Sequence, residues 1–487
     1  MRPEGLWGSG TMDMLINGTA VPATDEARIK VINPATGECI DTVPRGSGTD
    51  VNAAVDAADA AFGTWSEKTT RDRGLILSRA AEMVRRDHKD LARLLTQEQG
   101  KPLKESIDEV RGCANILEYY ASISGQPAGE AVHLGKAGDC LVTRVPLGVC
   151  GAIIPWNMPV IIMGWKLGPA LLAGNPLVLK PASTTPLTNL RIAGLLQEAG
   201  LPHGVLNVVT GPGETAGAAL VKHPRVKKIS FTGDCATGHR IRQMAKDHLK
   251  TLTLELGGSD PMIVMADADI PKAVDGALRG RFYNAGQVCT AVKRLYLHEK
   301  IAEEFMHLLI ARVEGLTIGN GLLPATDMGP LNNREQLERI SSLVREVAEQ
   351  EEGTISTGGS PKTGSAYKDG FFYQPTLITD VAPDAALLKN EVFGPVLPVM
   401  TVPDLSTAIR EANHSRYGLG ASIWTRDIST IKEVYQRVNA GIVWVNRHLT
   451  IPPEVPFGGT NESGIGRENG FHALDSYTQT KTLYLGW

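Results

Sequence analysis

Three residues in this chain have side chains that together could carry out an acyl transfer. Cys289, in RFYNAGQVCTA, follows Gly286 and small polar neighbours, a setting in which a thiolate nucleophile can be exposed. Glu255 ends the apolar run in LTLELGGSDP, where core packing gives no reason for a carboxylate and a base could activate water. Asn157, in IIPWNMP, is a neutral donor able to stabilise an oxyanion. A nucleophile, a base and an oxyanion donor are what an enzyme with a covalent acyl–thiol intermediate needs.

Each of these residues also has an ordinary structural interpretation. A buried cysteine is more often inert than reactive, and an asparagine between a strand and a helix suits a turn. A glutamate at the end of a strand can cap a helix or form a salt bridge. The chemical interpretation therefore depends on the three residues in combination.

The elements that would position these residues alternate between helices and strands. The N-terminal region is predicted to be mostly helical, with helices over 50–62 and 71–96. Five strand-like apolar runs then alternate with helical segments: GVCGAIIP, NPLVLKP, GVLNVVTG, VKKISFTG and TLTLELGG. Because strands joined by helical crossovers lie parallel, this rhythm predicts a parallel sheet.

A second alternating series begins near Pro261. It contains the strand-like runs PMIVM and RLYLH and helical segments over 301–314 and 333–350, which predict a second α/β domain. The segments 126–144 and YTQTKTLYLGW fit neither series and are predicted to be strands that pair across subunits or, alternatively, surface hairpins. The first ten residues, MRPEGLWGSG, are expected to form a loose tail.

The composition excludes several classes of function. The 487 residues are 42% hydrophobic and 21% charged, with a formal net charge of -4, which is ordinary for a globular protein and gives no basic surface for nucleic acid. The uncharged stretch 145–165 is long enough to span a bilayer, but Pro146, Pro155, Pro159 and Asn157 interrupt it. We therefore expect a small-molecule substrate and neither a membrane nor a nucleic acid as partner.

Six cysteines are scattered through the chain, at positions 39, 113, 140, 150, 235 and 289. None forms a CxxC pair or lies near a histidine cluster, so we expect neither a disulfide framework nor a metal site. Sparse unpaired thiols fit a reducing compartment, and the cytoplasm is the expected location.

From NPATGE at 33–38 to PFGG at 456–459, the chain resembles the aldehyde dehydrogenase superfamily. The family motifs occur in order, with PWN at 155–157, KPA at 180–182, FTG at 231–233, LELGG at 254–258, GQVC at 286–289 and EVFGP at 391–395. The resemblance implies oxidation of an aldehyde to a carboxylic acid with NAD or NADP and without a metal.

The resemblance also assigns roles to individual residues. Cys289 would attack the aldehyde and become a thioester, while Asn157 and the Cys289 backbone amide hold the oxyanion. Glu255 would activate the water that hydrolyses the thioester, which speaks against an enzyme that passes the acyl group to coenzyme A or phosphate. Lys166, in WKLGP, matches a family lysine near the active site.

The family fold implied by the resemblance is α/β with three parts. These are a Rossmann-like parallel-sheet cofactor domain (12–125 and 147–258), a second α/β catalytic domain (259–445) and a small β extension for oligomerisation (126–146 and 466–487), in a homodimer or homotetramer. The residues expected to bind the cofactor are Ile153, Pro155, Trp156, Lys180, Ser183, Gly213, Phe231, Thr232, Gly233, Asp234, Gly257, Glu391 and Phe393. The residues expected to line the aldehyde tunnel are Met158, Ile161, Ile162, Trp165, Tyr283, Val288, Ile451 and Phe457.

Two departures from the family pattern leave the choice between NAD and NADP open. Ser183 stands where strict NAD users often carry Glu, so no carboxylate would repel a 2′-phosphate. Asp234 replaces the Ser expected after FTG and places an acid at a helix N-terminus, which it would cap. The segment GPGETAG, at 211–217, is interpreted first as a turn.

The predicted tunnel walls favour an apolar, aromatic or medium aliphatic aldehyde. Trp165 occupies a position where relatives that oxidise succinic semialdehyde or lactaldehyde often carry Arg, which counts against a carboxylate-bearing substrate. Arg447 and His448, in VNRHLT, are expected near the tunnel mouth, where they would allow a polar or acidic substrate or, alternatively, be solvated surface residues. The alternatives are a semialdehyde dehydrogenase, a coenzyme A-acylating enzyme and a catalytically silent structural homologue.

Overall fold

The computed structural model describes residues 11–126 and 129–486. The predicted N-terminal tail lies outside the described residues, as do residues 127–128 and 487 of the two predicted oligomerisation segments.

The secondary structure follows the predicted alternation of helices and strands. Up to residue 255 the elements are β1 (Met14–Ile16), β2 (Thr19–Val21), β3 (Arg28–Ile32), β4 (Cys39–Pro44), α1 (Gly48–Ser66), α2 (Thr70–Arg86), α3 (His88–Gln99), α4 (Leu103–Ser122), β5 (Gly129–His133), β6 (Asp139–Pro146), β7 (Cys150–Ile153), α5 (Pro159–Ala173), β8 (Leu177–Lys180), α6 (Leu187–Glu198), β9 (Leu206–Val208), α7 (Ala218–Lys222), β10 (Lys228–Thr232), α8 (Cys235–Met244) and β11 (Thr251–Glu255). From residue 260 they are β12 (Asp260–Val264), α9 (Ile270–Phe282), β13 (Val292–His298), α10 (Glu299–Glu314), α11 (Arg334–Glu349), β14 (Thr354–Thr357), β15 (Thr376–Thr379), α12 (Ala386–Lys389), β16 (Val396–Val402), α13 (Leu405–Asn413), β17 (Gly420–Trp424), α14 (Ile428–Arg437), β18 (Ile442–Val445), β19 (Gly464–Ile465) and β20 (Thr478–Leu485).

The first sheet has the strand order β19-β11-β10-β7-β8-β9-β1-β2. Its central strands, β11, β10, β7, β8 and β9, are parallel and correspond to the five apolar runs of the sequence. Strands β8 and β10 are buried along their whole length, as expected where helices cover both faces of a sheet. The carboxyl ends of these strands meet at one edge, which is where open α/β sheets bind ligands.

The second sheet has the order β14-β15-β16-β13-β12-β17-β18, and every pair except β14 with β15 is parallel. This confirms the second α/β unit. Strand β11 ends at Glu255 and β12 begins at Asp260, so the chain passes directly from the carboxyl edge of the first sheet into the second. Cys289 lies just before β13, which begins at Val292. The predicted base and nucleophile therefore lie where the two sheets meet.

Strands β5, β6 and β20 form a third, antiparallel sheet in the order β20-β6-β5. Both segments outside the α/β rhythm are strands, but within this chain they pair with each other, from Thr478 opposite Pro146 to Leu485 opposite Asp139. The sheet carries exposed apolar side chains on Val132, Leu141, Leu483, Tyr484 and Leu485. A group of exposed apolar residues of this kind marks an interaction surface.

Some local predictions are corrected by the structure. The single helix predicted over 71–96 is two helices, α2 and α3, because Asp87 leaves the helical conformation, ends the first helix and begins the second. The segment 211–217 is more than a turn, since Gly213–Gly217 forms one π-helical turn that leads into α7. The uncharged stretch 145–165 forms the end of β6, strand β7 and the start of α5. No helix within 11–126 or 129–486 is long and apolar enough to cross a membrane.

Candidate active site

Cys289 is presented by a strained loop between α9 and β13. Asn284, Ala285 and Gly286 have consecutive positive φ angles of 51°, 53° and 73°. A left-handed backbone costs about 1–2 kcal/mol for a residue with a side chain and persists only where the surroundings enforce it. Glycine is required at Gly286 because a Cβ there would collide with the carbonyl oxygen of Gly394. The loop is thus held in one shape ahead of Cys289.

Buried hydrogen bonds enforce that shape. The Asn284 N–H donates to Glu105 Oε2 at 2.9 Å, and its side-chain amide donates to the Asn157 carbonyl at 2.9 Å. Gln287 donates through Nε2 to the Asn284 carbonyl at 3.0 Å and accepts from the Asn332 N–H at 2.9 Å. All five residues are at most 5% exposed. Such bonds are strong in a poorly solvated environment, so they offset the backbone strain.

Asn157 lies on the neighbouring loop between β7 and α5 and is 4% exposed. Its side-chain amide donates to the Gln287 carbonyl at 3.0 Å, two residues before Cys289. A primary amide has a second N–H, which is available to an oxyanion that forms at Cys289. The structure therefore brings the predicted nucleophile and the predicted oxyanion donor together.

A buried ion pair holds the Asn157 loop. Lys101 Nζ lies 2.5 Å from Glu109 Oε2, and both side chains are fully buried. The Lys101 ammonium also donates to the Asn157 carbonyl at 2.7 Å. Glu109 accepts from the N–H groups of Val160 and Ile161 at 2.8 and 3.2 Å, which satisfies donors in the first turn of α5. This pair, which the sequence did not predict, holds the position of Asn157, the predicted oxyanion donor.

Cys289 is not the exposed thiolate that the sequence predicted. Its side chain is only partly exposed, and burial raises the pKa of the thiol to about 12. The carboxylates of Asp260, Glu391 and Glu255 also act to raise that pKa, whereas the ammonium of Lys293 acts to lower it. The resting thiol is therefore protonated at neutral pH, and ionisation must be promoted before it can attack.

Glu255 is the last residue of β11 and is 2% exposed. Neither of its carboxyl oxygens hydrogen-bonds another described residue. Burial raises the pKa of this carboxyl well above its usual range; Glu468 adds to the increase and Lys166 opposes it. A carboxylate with a raised pKa and two uncommitted oxygens is suited to take a proton from water.

Lys166 and Glu468 form an ion pair beside Glu255, with side chains 0% and 2% exposed. Lys166 also donates to Ser230 Oγ at 3.0 Å and to Thr232 Oγ1 at 2.8 Å, and the Ser230 hydroxyl donates to Glu468. The structure thus places Lys166 near Glu255, the predicted base. Glu468, which the sequence did not predict, completes a buried charged group around it.

Lys293 connects the nucleophile loop to Glu391. Its fully buried ammonium donates to the carbonyl of Cys289 and lies 3.0 Å from Glu391 Oε1. Glu391 also accepts from the Gly258 N–H at 3.2 Å, and a Cβ on Gly257 would collide with the same carboxylate. Glu391, which is predicted to bind the cofactor, is therefore connected to the backbone of Cys289 through the single side chain of Lys293.

The residues predicted to bind the cofactor lie mainly along the carboxyl edge of the first sheet. Ile153, Lys180 and Thr232 are the last residues of β7, β8 and β10. Lys180 is 4% exposed, donates to the Pro181 carbonyl at 2.9 Å, and has a pKa that burial lowers to about 8. A buried ammonium that bonds a carbonyl rather than a carboxylate fits a hydroxyl-bearing ligand such as a ribose.

The two residues that depart from the family pattern, Ser183 and Asp234, each form a hydrogen bond through the side chain. Ser183 Oγ donates to the Gly211 carbonyl at 3.1 Å, so the side chain at this position is neutral and held. Asp234 caps α8 and accepts from the Thr237 N–H at 2.8 Å, as the sequence predicted. The cap places a negative charge at a helix N-terminus that would otherwise favour a phosphate.

The other predicted cofactor residues lie on the same edge or on segments next to it. Trp156 and Phe393 meet edge to face with ring centroids 5.4 Å apart, which joins the β7–α5 loop to the Glu391 loop. Phe231 lies within β10. One or two residues after the ends of β7, β10 and β11 come Pro155, Gly233 and Gly257. Gly213 is exposed and begins the π-helical turn before α7, which packs against the same edge, since a Cβ on Gly217 would lie 3.5 Å from Lys180 Cδ and 4.0 Å from Ile153 Cδ1.

A cavity of about 200 Å³ opens beside Cys289. Its walls include the predicted tunnel residues Met158, Ile161, Ile162, Trp165, Tyr283, Val288 and Ile451. Phe457, also predicted to line the tunnel, is buried next to this wall and packs against Trp165 with ring centroids 5.0 Å apart. The walls also include residues that the sequence did not predict, namely Asp108, Glu109, Arg279, Thr290 and Leu449.

The charged groups at the cavity differ from those predicted. His448 is buried rather than at the mouth, and it donates from Nε2 to the Thr290 carbonyl at 2.7 Å. Burial lowers the pKa of His448 to about 4, so the ring is neutral. Arg447 is exposed and does not line the cavity, whereas Arg279 does, with its guanidinium 5.9 Å from the centroid of the Tyr283 ring. Arg279 is therefore the cation available to a substrate.

Comparison with known proteins identifies the family. The sequence model of the aldehyde dehydrogenase family matches residues 21–483. A phenylacetaldehyde dehydrogenase of Pseudomonas fluorescens is 43% identical over 484 residues, which cover 97% of this chain and 96% of that relative. The chain belongs to the aldehyde dehydrogenase family.

A second sequence relative and a similar solved structure support this assignment. A betaine aldehyde dehydrogenase of Bacillus subtilis (strain 168) is 39% identical over 474 residues, which cover 97% of this chain and 96% of the relative. The crystal structure of PnpE from Pseudomonas sp. WBC-3, in complex with nicotinamide adenine dinucleotide, has a TM-score of 0.96 at 37% identity and covers 98% of each chain. This aldehyde dehydrogenase is accordingly an NAD(P)-dependent enzyme that oxidises aldehydes to carboxylic acids.

Several charged residues near Cys289 in this aldehyde dehydrogenase were not predicted from the sequence. Lys101 lies in GKP, which was interpreted only as a helix stop, and Glu468 lies in a glycine-flanked turn. Glu105 and Glu109 are one helical turn apart, a spacing that is also typical of a solvated face. Lys293 would have been the easiest of these residues to detect, because a lysine and an arginine near the start of the otherwise apolar strand VKRLYLH are unusual in a buried strand.

Proposed function

We propose that this aldehyde dehydrogenase oxidises an apolar aldehyde of the arylacetaldehyde type. The observation that carries this proposal is the cavity beside Cys289, whose walls are mainly aliphatic and aromatic, with Met158, Trp165 and Tyr283 among them. The 43% identical relative is named a phenylacetaldehyde dehydrogenase, which points in the same direction. Medium aliphatic aldehydes present the same kind of surface and belong to the same substrate class.

In the proposed mechanism Cys289 is the nucleophile. Its thiolate forms a C–S bond with the aldehyde carbon, and the Asn157 side-chain N–H and the Cys289 backbone N–H hold the resulting alkoxide. When bound, the nicotinamide ring accepts the hydride that the former aldehyde carbon releases. Loss of the hydride restores the carbonyl group and leaves a thioester on Cys289.

Glu255 is proposed as the base for hydrolysis. It takes a proton from a water molecule whose oxygen attacks the thioester carbon, and the C–S bond then breaks. The products are the carboxylic acid and the Cys289 thiolate. The uncommitted oxygens of Glu255 support this role, and the buried pair of Lys166 and Glu468 controls how basic the carboxylate is.

The residues at the carboxyl edge of the first sheet fit a nicotinamide dinucleotide. Lys180 and Glu391 are proposed to hold ribose hydroxyls, and Trp156 and Phe393 to border the nicotinamide side. Similarity to PnpE, which was solved with nicotinamide adenine dinucleotide, supports NAD as a cofactor. Ser183 supports acceptance of NADP as well, because no carboxylate at this position would repel a 2′-phosphate.

We further propose a homodimer or homotetramer in the cytoplasm. The exposed apolar residues of the β20-β6-β5 sheet, such as Leu483 and Tyr484, supply a surface for a second copy. Six unpaired cysteines suit a reducing compartment. The proposed domains remain 12–125 with 147–258 for the cofactor, 259–445 for catalysis, and 126–146 with 466–487 for assembly.

A second substrate class is favoured by one observation. Asp108 lines the cavity together with the aromatic rings of Trp165 and Tyr283, and these groups could attract a quaternary ammonium aldehyde. The 39% identical relative is named a betaine aldehyde dehydrogenase. The Arg279 cation at the same cavity and the neutralisation of Glu109 by Lys101 disfavour this alternative.

The test is reduction of NAD and NADP, followed by absorbance, with the purified protein and a panel of aldehydes. The panel contains phenylacetaldehyde, a medium aliphatic aldehyde, betaine aldehyde and succinic semialdehyde, each with and without coenzyme A. A higher kcat/KM for phenylacetaldehyde than for the charged aldehydes is expected. Preference for betaine aldehyde would assign Asp108 to substrate binding, preference for the semialdehyde would assign Arg279, and no reduction with any aldehyde would contradict the proposal.

A further inference from the structure

Lys293 places a buried ammonium on the backbone of the nucleophile. The side chain is fully buried at the start of β13, and Nζ donates to the carbonyl of Cys289. Taking an ammonium out of water costs several kcal/mol unless other charges and hydrogen bonds compensate. The charges around Lys293 therefore determine what this group does.

Groups from several elements face Lys293. Glu391, after α12, lies 3.0 Å away. Asp260, at the start of β12, lies beside the same carbonyl, because a Cβ on Gly258 would be 2.8 Å from Asp260 Oδ1 and 2.9 Å from the Cys289 oxygen. Burial raises the pKa of Asp260 to about 7, and Lys293 opposes that increase. The neutral His448 also faces Lys293, and the centroid of the Phe393 ring is 5.9 Å from Nζ. Arg294 acts to lower the pKa of Asp260, and Glu255 acts to raise the pKa of Cys289.

Cys289 is thus surrounded by carboxyl groups, with one ammonium placed between them. A thiolate formed there would be repelled by Glu391 and Asp260 and attracted by Lys293. Because these charges are buried, the interactions are screened less by solvent than they would be at the surface.

We propose that Lys293 is a positioning residue that promotes ionisation of Cys289, with its ammonium compensating the carboxylates of Glu391 and Asp260. The thiol proton leaves for solvent water, and the thiolate remains beside the ammonium. Lys293 acts through the nucleophile and not on the substrate. This inference rests on the proposed role of Cys289 as the nucleophile.

The proposal predicts opposite effects at the two ends of the Lys293–Glu391 pair. Lys293→Met removes the compensating cation and leaves Glu391 to repel the thiolate, so the pKa of Cys289 rises. Glu391→Gln removes that repulsion and leaves Lys293 uncompensated by this residue, so the pKa of Cys289 falls. A residue with a merely structural role would not give shifts of opposite sign.

The experiment measures alkylation of Cys289 by iodoacetamide from about pH 6 to pH 10, without aldehyde or cofactor, in the full-length protein. Peptide mass spectrometry separates Cys289 from the exposed Cys39. In Lys293→Met the rate at pH 8 should fall about tenfold, which corresponds to about one pKa unit, and in Glu391→Gln it should increase. Lys293→Arg, which keeps the cation, should stay closer to the parent than Lys293→Met does.

Lys228→Met is the matched control. Lys228 is also fully buried, but it donates to Thr253 Oγ1 at 2.6 Å and does not touch the Cys289 loop. Its alkylation profile should match that of the parent.

A parent-like profile in Lys293→Met would overturn the inference, as would a shift of Glu391→Gln in the same direction as Lys293→Met. If Lys293→Met does not fold, Lys293→Gln, which keeps a hydrogen-bond donor but removes the charge, takes its place, and a parent-like alkylation profile in Lys293→Gln would overturn the inference. Failure of the proposed function would instead be seen as an absence of aldehyde oxidation by the parent, whose alkylation profile is measured independently.

Discussion

Lys101 and Glu109 form an ion pair 2.5 Å apart in which both side chains are fully buried, and Lys101 also donates to the Asn157 carbonyl at 2.7 Å. The pair connects α4 to the loop that carries the proposed oxyanion donor. Glu105, one helical turn earlier, accepts from Asn284 in the loop that precedes Cys289. Through Glu105 and Glu109, one helix therefore positions both loops of the site.

Lys101→Met should lower kcat more than it raises KM, by about tenfold or more, because Asn157 would lose its fixed position. Complete removal of an oxyanion donor costs about 10²–10³ in kcat, which sets the upper limit. The unpaired Glu109 should also cost about 3–5 kcal/mol in the free energy of unfolding. Steady-state kinetics and urea denaturation measure the two effects.

Lys104→Met is the control for Lys101→Met, because it removes only an exposed pair with Asp327 at 3.0 Å. Its free energy of unfolding should change by less than about 1 kcal/mol. A parent-like kcat in Lys101→Met would show that the pair does not position Asn157.

Cys289→Ala should abolish aldehyde oxidation, because no other thiol is among the described residues that line the cavity. Glu255→Gln should still produce a burst of reduced cofactor, about one per active site, and then release acid slowly. Stopped-flow absorbance and mass spectrometry of the acylated protein distinguish the two steps. Cys39→Ala, which changes an exposed cysteine, should behave like the parent. Unchanged steady-state rates in both Cys289→Ala and Glu255→Gln would reject the mechanism.

The pH dependence of hydrolysis should report the charges around Glu255. The base acts as a carboxylate, so the rate rises as the pH passes upward through the pKa of Glu255, which burial and Glu468 raise and Lys166 lowers. Glu468→Gln should therefore move this rise to lower pH, and Lys166→Met should move it to higher pH, each by about one pKa unit. Single-turnover release of acid is the measurement. Shifts in the same direction would contradict the assignment of these two roles.

Ser183→Glu should weaken the use of NADP more than the use of NAD. A carboxylate at this position would repel a 2′-phosphate, whereas it can accept hydrogen bonds from free ribose hydroxyls. We expect KM for NADP to increase by about tenfold or more, with KM for NAD as the internal control. An equal loss for both cofactors would mean that residue 183 does not face the adenosine ribose.

Much of the fold could be predicted from local sequence. Strands buried on both faces are continuous apolar runs, so β7 to β11 could be recognised before their pairing was known. Cys289, Glu255 and Asn157 could be named because each lies in a distinctive motif at the end of such a run. The helix break at Asp87 could not be predicted with the same ease, because the apolar periodicity continues on both sides of it.

The chain's own order of residues thus established its α/β class and its family motifs, and it named the residues proposed as nucleophile, base and oxyanion donor. Only the tertiary structure decided which charged side chains are buried and which partners they have. For example, Lys166 pairs with Glu468, which is 302 residues away in the sequence. The tertiary structure also packed Phe457 against Trp165 and, through burial, made His448 neutral and kept the Cys289 thiol protonated. The physical reason is that a side chain's charge state depends on desolvation and on neighbours from distant segments, and neither is written in the local sequence pattern.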